Sequence, residues 1–195
     1  MIKRLFCLFL VFLCFWFSFN CFAYELKVYP DKPPLARAVL RIVFCPLNYQ
    51  DEKIFREDIR GLVQELNKTV PFDEAAGKIS FYYLSLTKEE EAFNFEPARD
   101  FPPLKIRDDF LAGISRGLNP SFKLIIINAE SSVSCAELSS IDRMSLAIIG
   151  KARYKDARDF SKGFLHELGH ALGLRDECIY CRESAPGGPN CAADQ

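Results

Sequence analysis

Blocks of apolar residues along the chain change between the spacing of strands and the spacing of helices. Runs rich in β-branched residues predict strands, at 38–45, 79–86, 122–128 and 146–150. Three further stretches predict helices, at 51–66, 106–118 and 159–172. In the first of these, apolar residues recur at steps of three and four, which places them on one helix face. This order predicts a layered α/β domain with a mixed sheet, and strands apolar on both faces favour helices on both sides.

The segments between these elements predict turns and loops. We expect the first strand to follow a proline-rich lead-in and to stop at Pro46, and the strand at 146–150 to lie near a sheet edge. The acidic, proline-containing stretch 87–103, which includes three consecutive glutamates, predicts a solvated surface loop. The serine-rich stretch 131–140 predicts irregular structure.

Residues 1–23 have the composition of a secretory signal. Lys3 and Arg4 form a basic start, residues 5–17 are an unbroken apolar run, and Cys21-Phe22-Ala23 offers small residues for cleavage. The alternative is an uncleaved N-terminal membrane anchor, because the segment approaches the length of a bilayer span. Either interpretation predicts an exported protein that is secreted, periplasmic or at the cell surface. The remaining domain then extends over 24–195.

The overall composition excludes several classes of protein. The 195 residues carry 25 basic and 26 acidic side chains, for a formal net charge of -1, and they contain no run of Lys or Arg. A strongly basic nucleic-acid binder is therefore excluded. The hydrophobic fraction of 49% excludes a disordered chain. We expect one folded domain that meets a membrane only if the N-terminal segment is retained.

The last predicted helix carries a pattern of side chains typical of a metal centre. Its sequence His166-Glu167-Leu168-Gly169-His170 contains the only two histidines of the chain. Positions i and i+4 project from the same face of a helix, so both imidazoles can bind one Zn²⁺ ion. Glu167 directly follows the first ligand and is placed to act as general base on a water activated by the metal.

The residues around this motif predict how the zinc site is completed. Apolar residues beside the motif indicate a buried helix, in which two histidines and a glutamate need a partner such as a metal. Asp159 or Ser161 is expected to cap the start of the helix. Gly173 suits a left-handed turn at its end, which would bring Asp176 back to the metal as third ligand. The fourth position would stay open for water, as in catalytic zinc sites.

Two alternatives to a catalytic zinc site follow from the same residues. The histidines could be core residues satisfied by hydrogen bonds. A nucleophilic cysteine–histidine enzyme is the weaker alternative, because neither histidine is left over to serve as its base.

Five cysteines follow the signal segment, at Cys45, Cys135, Cys178, Cys181 and Cys191. Disulfides can form in an exported protein, and an odd number leaves at least one cysteine outside intramolecular pairs. Cys178 and Cys181 have the spacing of half a structural zinc site, with Cys191 as a third ligand. Because no fourth ligand is evident, the sequence favours a disulfide among these three.

The segment from His166 to Asp176 resembles the extended zinc motif of metzincins, with aspartate as the third ligand. More of the chain resembles the IgA-peptidase family of bacterial zinc metallopeptidases. The shared features are, in order, a strand, an acidic and aromatic helix, Pro71-Phe72, a second strand, a central strand ending in Asn128, the zinc helix, Asp176-Glu177, and Pro189-Asn190-Cys191. The resemblance covers most of residues 38–191. It implies a zincin-like mixed sheet with an active-site helix, a zinc cofactor and a protein or peptide substrate.

Together these features predict an exported zinc metallopeptidase. His166, His170 and Asp176 are expected to hold Zn²⁺, with Glu167 as the catalytic base. The strand at 146–150 is expected to bind an extended peptide by β-addition, as in zincins.

The positions of the methionines leave two alternatives to an active peptidase. Metzincins carry a methionine turn downstream of the zinc motif, whereas the methionines here, Met1 and Met144, lie upstream of it. The chain could therefore be a non-catalytic, zinc-binding exported domain, or a fragment of a longer peptidase.

Overall fold

The structure of the chain, a computed structural model, describes residues 24–30, 38–98, 104–118, 122–138 and 145–174. The signal segment 1–23 and the stretch 175–195, which holds Asp176 and three of the cysteines, lie outside the described residues. The predictions for these two segments therefore stay predictions. Within the described ranges, no helix is both long enough and apolar enough to cross a membrane.

The described residues form eight strands and five α-helices. The strands are β1 (Glu25–Tyr29), β2 (Leu40–Leu47), β3 (Ile79–Ser85), β4 (Phe95–Pro97), β5 (Leu104–Ile106), β6 (Phe122–Asn128), β7 (Cys135–Leu138) and β8 (Ser145–Gly150). The α-helices are α1 (Glu52–Leu66), α2 (Phe72–Ala75), α3 (Lys88–Asn94), α4 (Asp108–Leu118) and α5 (Ala157–Ala171). Two short 3₁₀ turns, Ala76–Lys78 and Lys151–Arg153, precede β3 and α5.

Six of these strands form one mixed sheet, in the order β1-β3-β2-β6-β8-β7. The four inner strands are parallel to one another, and the edge strands β1 and β7 each run antiparallel to their neighbour. β4 and β5 pair separately with each other, also antiparallel. The structure thus confirms the predicted fold class, an α/β domain in which helices flank a mixed sheet.

Helices cover both faces of the sheet because alternate residues of its central strands point to opposite sides. On one face, Ile42 and Phe44 of β2 pack with α1 and α5. On the other face, Val43 and Cys45 of the same strand pack with α4, which contributes three apolar side chains spaced four residues apart. The prediction of helices on both sides is confirmed, and it places α5 directly on the sheet.

Strand β2 continues through Pro46 to Leu47, so the prediction that it stops at Pro46 is wrong. Its pairing with β3 ends at Phe44, and its last residues have only β6 beside them. Proline lacks the backbone N–H of a ladder hydrogen bond, and it is tolerated where a strand has an open side.

Part of the predicted loop at 87–103 is helix α3 followed by strand β4. The Thr87 hydroxyl accepts a hydrogen bond from the Glu90 backbone N–H (3.2 Å), and the Glu90 carboxylate accepts one from the Thr87 N–H (2.7 Å). This capping box starts the helix, and its acidic first turn suits the helix dipole. The glutamates are not all solvated either, because the Glu91 carboxylate is buried and forms an ion pair with Lys88 (2.9 Å).

The serine-rich stretch 131–140 contains the edge strand β7, contrary to the prediction of irregular structure. β7 lies antiparallel along β8, from Cys135 opposite Ile148 to Leu138 opposite Ser145. The predicted strand at 146–150 is therefore next to the edge, with β6 and β7 on its two sides. The expected addition of a peptide to this strand is wrong over residues 145–148, because this part of the strand is paired on both sides.

Candidate functional site

The site is carried by helix α5, which begins one turn before the predicted caps. Asp156 is the N-cap residue, and its carboxylate accepts a hydrogen bond from the Asp159 backbone N–H (2.9 Å). Asp159 and Ser161 are therefore inside the helix, and the prediction that one of them caps it is wrong. The Ser161 hydroxyl is buried and donates instead to the backbone carbonyl of Ala157 (2.9 Å).

The two histidines lie together on one face of α5, as the spacing predicts. The Nε2 atoms of His166 and His170 are 3.1 Å apart, and their ring planes are nearly perpendicular, at 85°. Two histidine nitrogens bound to one tetrahedral zinc ion, each at about 2.0–2.1 Å, are separated by about 3.3 Å. The 3.1 Å distance is that of a hydrogen bond between the two rings, and it is also close to the spacing of two ligands of one metal ion.

The end of α5 is a Schellman motif built on Gly173, whose φ of +93° confirms the predicted left-handed turn. The Leu174 backbone N–H donates to the carbonyl of Gly169 (2.9 Å), and the Gly173 N–H donates to the carbonyl of His170 (2.8 Å). This turn folds the chain back over the last turn of the helix. It thereby brings the Leu174 carbonyl oxygen to 2.9 Å from Nδ1 of His170.

The bond to Leu174 fixes which nitrogen of His170 is available to a metal. A carbonyl oxygen only accepts, so Nδ1 of His170 carries the hydrogen and donates. In the neutral ring, Nε2 then keeps its lone pair and faces Nε2 of His166. Metal-binding histidines commonly donate their other ring nitrogen to a backbone carbonyl in this way. The donor set therefore fits two nitrogen positions of a zinc site.

Among the residues that the structure describes, no third metal ligand lies beside the two histidines. Among the described residues, no three His, Cys, Asp or Glu side chains are grouped so that they could hold a metal ion. Asp176, the predicted third ligand, lies two residues beyond Leu174 and outside the described residues.

Burial separates Glu167 from the two histidines. The Glu167 side chain is only 6% exposed, whereas His166 is exposed and His170 half-buried. The helix packs on the sheet through the face that carries Phe164 and Leu168, both fully buried. The expectation that both histidines sit in the core is therefore wrong. The alternative of core histidines satisfied by hydrogen bonds is wrong in the same respect, although the hydrogen bonds of His170 to Leu174 and His166 are present.

A cleft of about 550 Å³ opens beside His166 and Glu167. Its lining comes from α5 and from the turn that precedes it, and consists of Arg153, Tyr154, Lys155, Asp159, Lys162, Gly163, His166 and Glu167. A buried carboxylate and an exposed imidazole thus share a wall of a cavity that could hold several atoms of a substrate. Of these residues, only His166 and Glu167 are predicted as site residues from the sequence.

Tyr154 lines the same cleft as the motif, and the absence of a side chain at Gly163 lets its ring pack there. A Cβ atom at position 163 would overlap the phenol of Tyr154, so the ring packs directly against the helix backbone. The Tyr154 hydroxyl is also hydrogen-bonded to the Ser134 hydroxyl (3.2 Å), which accepts from the Gly150 backbone N–H (3.1 Å). Ser134 directly precedes β7, so the cleft wall is tied to the edge strand.

The loop that leads into β7 is held by Asn128, the residue that ends the central strand. The side-chain oxygen of Asn128 accepts hydrogen bonds from the backbone N–H groups of Glu130 (3.1 Å) and Ser131 (3.2 Å). It accepts a third from the side chain of Asn48 (3.0 Å), at the end of β2. Asn128 therefore orders the segment between β6 and the edge strand and has a structural role here.

The described cysteines lie away from the cleft. Cys45 and Cys135 are both buried, in β2 and β7. Burial raises the pKa of the Cys45 thiol well above its ordinary value, and the charge of Glu91 adds to this effect. Cys45 is therefore a protonated core residue, which argues against its use as a nucleophile.

No protein-family model matches the chain, and no curated protein matches it either. The resemblance to zinc peptidases therefore rests on the motif and on the geometry of α5.

Proposed function

We propose that the chain is an exported zinc-dependent peptidase in which His166, His170 and Asp176 hold the metal and Glu167 is the general base. The observation that carries this proposal is the 3.1 Å spacing of the two Nε2 atoms, together with the bond from Nδ1 of His170 to the Leu174 carbonyl. The bond to Leu174 holds the His170 ring with Nε2 toward His166, an orientation in which both nitrogens could bind one zinc ion.

Glu167 has the position and the surroundings of a catalytic base. It lies beside His166 in the wall of the cleft and is largely shielded from solvent. Zinc, when bound, polarises the carbonyl of the scissile peptide and makes water more acidic. Glu167 takes the proton of the attacking water and passes it to the leaving amine. The histidines serve as ligands and take no part in this proton transfer.

The substrate is an extended peptide that adds to the sheet along β7. This strand is the outermost one beside β8, and it is antiparallel to its neighbour. An edge strand offers unpaired backbone groups to a peptide, which is how many peptide-binding domains work. The bond between Ser134 and Tyr154 (3.2 Å) links the start of this edge to the cleft that holds Glu167.

The test combines zinc content with peptide cleavage. Purified protein is loaded with zinc, its bound metal is measured, and its cleavage of a mixed peptide library is compared with that of Glu167→Gln. We expect zinc in both proteins and a loss of cleavage of about 10²-fold or more in the variant. Glu57→Gln, on the exposed side of α1, is the matched control and should retain full cleavage.

Each contrary result would contradict a different part of the proposed function. Equal cleavage by wild type and Glu167→Gln would exclude this residue as the base. Zinc binding without any cleavage would support a non-catalytic zinc-binding domain instead. Absence of bound zinc from a folded protein would exclude the metal centre. For the third ligand, Asp176→Ala should lower zinc affinity while Glu177→Ala, its direct neighbour, should not.

A further inference from the structure

The cleft beside α5 has an excess of positive charge next to the proposed catalytic residues. Three basic side chains line it, from Arg153, Lys155 and Lys162, and two acidic ones, from Asp159 and Glu167. The three basic side chains are on the outer part of the wall: Arg153 and Lys155 are exposed, and the Lys162 side chain is 63% exposed. The carboxylate of Glu167 lies deeper and is shielded from solvent.

The two cations at the turn before α5 are available to a ligand. Lys162 is engaged, since its Nζ lies 3.3 Å from the Asp159 carboxylate on the next turn of the helix. Within the described part of the chain, neither Arg153 nor Lys155 forms an ion pair or a side-chain hydrogen bond. Among the described residues, their charges therefore have no counter-ion at the cleft.

The backbone that carries these cations is held in place on both sides. Lys151, at the start of the 3₁₀ turn, forms an ion pair with Asp58 of α1. Tyr154, between the two cations, packs against Gly163 and bonds to Ser134. Arg153 and Lys155 thus flank an anchored residue, so their charges stay near the cleft although their side chains are exposed.

We propose that this cleft recognises a carboxylate of the peptide substrate, held by Arg153 and Lys155. The inference rests on the proposed function, because it names the substrate class of the same site. Three positive and two negative side chains leave a small positive excess, which suits a singly charged carboxylate better than a doubly charged phosphate. The carboxylate comes either from an Asp or Glu side chain or from the C-terminus of the peptide.

The test measures binding separately from cleavage. Fluorescent peptides that differ only in Glu against Gln, each with a free or an amidated C-terminus, are titrated by anisotropy against metal-depleted protein. Metal-free protein cannot cleave them by the proposed mechanism, and no metal is present to attract the carboxylate. The variants are Arg153→Gln/Lys155→Gln and, as matched control, Arg60→Gln/Arg158→Gln, which removes two exposed charges that do not line the cleft.

We expect the wild type and the control to bind one carboxylate-bearing peptide about fivefold more tightly than its neutral partner. The Arg153→Gln/Lys155→Gln variant should lose this preference while binding the neutral peptide equally well. The preference should weaken as salt rises from about 0.02 M to about 0.5 M. The peptide pair that shows this preference identifies whether the carboxylate comes from a side chain or from the C-terminus.

The inference and the proposed function can fail independently. Equal binding of charged and neutral peptides by wild type overturns the inference even if zinc-loaded protein cleaves both. A preference that survives in Arg153→Gln/Lys155→Gln, or that falls equally in the control, also overturns it. Loss of the preference in the cleft variant alone supports it, even if no peptide is cleaved after zinc is restored; the proposed peptidase activity then fails on its own.

Discussion

Nδ1 of His170 donates a hydrogen bond to the backbone carbonyl of Leu174, 2.9 Å away. The acceptor belongs to the turn that ends α5, so the last turn of the helix and the loop beyond it orient the same imidazole. The geometry of this turn depends on the positive φ of Gly173. The orientation of the His170 imidazole is therefore coupled to the backbone conformation of Gly173.

Gly173→Ala should weaken zinc binding without removing a ligand. A side chain at φ +93° is strained, so the turn is expected to open and draw the Leu174 carbonyl away from His170. Loss of such a partner of a metal-binding histidine typically lowers metal affinity about 10- to 100-fold. Competition of the variant and the wild type with a chromogenic zinc chelator measures the change.

The control for this prediction is Gly61→Ala, in the middle of α1. Gly61 has open space around the position of a Cβ and lies in a helix, so alanine should raise the free energy of unfolding by about 0.5–1 kcal/mol. Zinc affinity should stay at the wild-type value. An equal loss of affinity in both variants would mean that Gly173 acts through general stability and has no specific link to His170.

How far the sequence predicts this site depends on whether its residues are neighbours along one helix. The face shared by His166 and His170 and the turn at Gly173 follow from local rules, and the structure has both. Arg153 and Tyr154 reach the cleft from a separate turn, which only tertiary packing brings there. The one visible signal was Gly163, a helix-disfavouring residue in the middle of an otherwise well-formed helix.

The fold was predicted where periodicity is strong and missed where a short element depends on its partners. β6 has the predicted bounds, Phe122–Asn128, because it carries buried apolar residues on both of its faces. The edge strands β1 and β7 are short and weakly patterned, and they exist because a neighbouring strand pairs with them. α3 is a different case: its capping signal, Thr87 followed by Glu90, is present in the sequence, but its acidic composition is also typical of a solvated loop.

Gly163→Ala should have opposite effects in two backgrounds. In the wild type, the added methyl group meets the Tyr154 ring, and we expect a loss of about 1–3 kcal/mol in the free energy of unfolding. In the Tyr154→Ala background the ring that this methyl group would meet is absent, so alanine at position 163 should stabilise α5 by up to about 1 kcal/mol relative to glycine. Urea denaturation of the four proteins of this double-mutant cycle gives the coupling. If the effects of the two substitutions on the free energy of unfolding are additive, the Tyr154 ring does not pack against Gly163.

Tyr49→Phe should destabilise the protein by about 1–2 kcal/mol, because the lost hydroxyl donates to the partly buried carboxylate of Asp58 (2.7 Å). Burial raises the pKa of Tyr49 above its ordinary value, and the bond to Asp58 adds to this, so the phenol is the protonated donor at neutral pH. Asp58 also pairs with Lys151, and the variant leaves that ion pair in place. Thermal and urea unfolding provide the measurement.

Tyr82→Phe is the matched control for this change. Tyr82 is as buried as Tyr49, at 7% exposed, but its hydroxyl makes no hydrogen bond within the described residues. Its removal should change stability by less than about 0.5 kcal/mol. If both variants lose the same stability, the hydrogen bond between Tyr49 and Asp58 contributes nothing beyond the packing of the ring.

Glu52 should make the stability of the protein depend on acid pH. Burial acts to raise the pKa of its carboxyl, but hydrogen bonds from Ser85 (2.9 Å) and Lys27 (3.3 Å) outweigh burial and hold the pKa below the ordinary 4.5. A carboxyl with a lowered pKa stabilises the folded state above its unfolded pKa, and this stability is lost as pH falls through the folded pKa. Glu52 is 42% exposed, so Glu52→Gln should lose no more than about 1 kcal/mol at pH 7. Urea unfolding of both proteins should show this difference shrinking below about pH 4.5, whereas a difference that stays constant or grows toward acid pH would contradict the role of the charge.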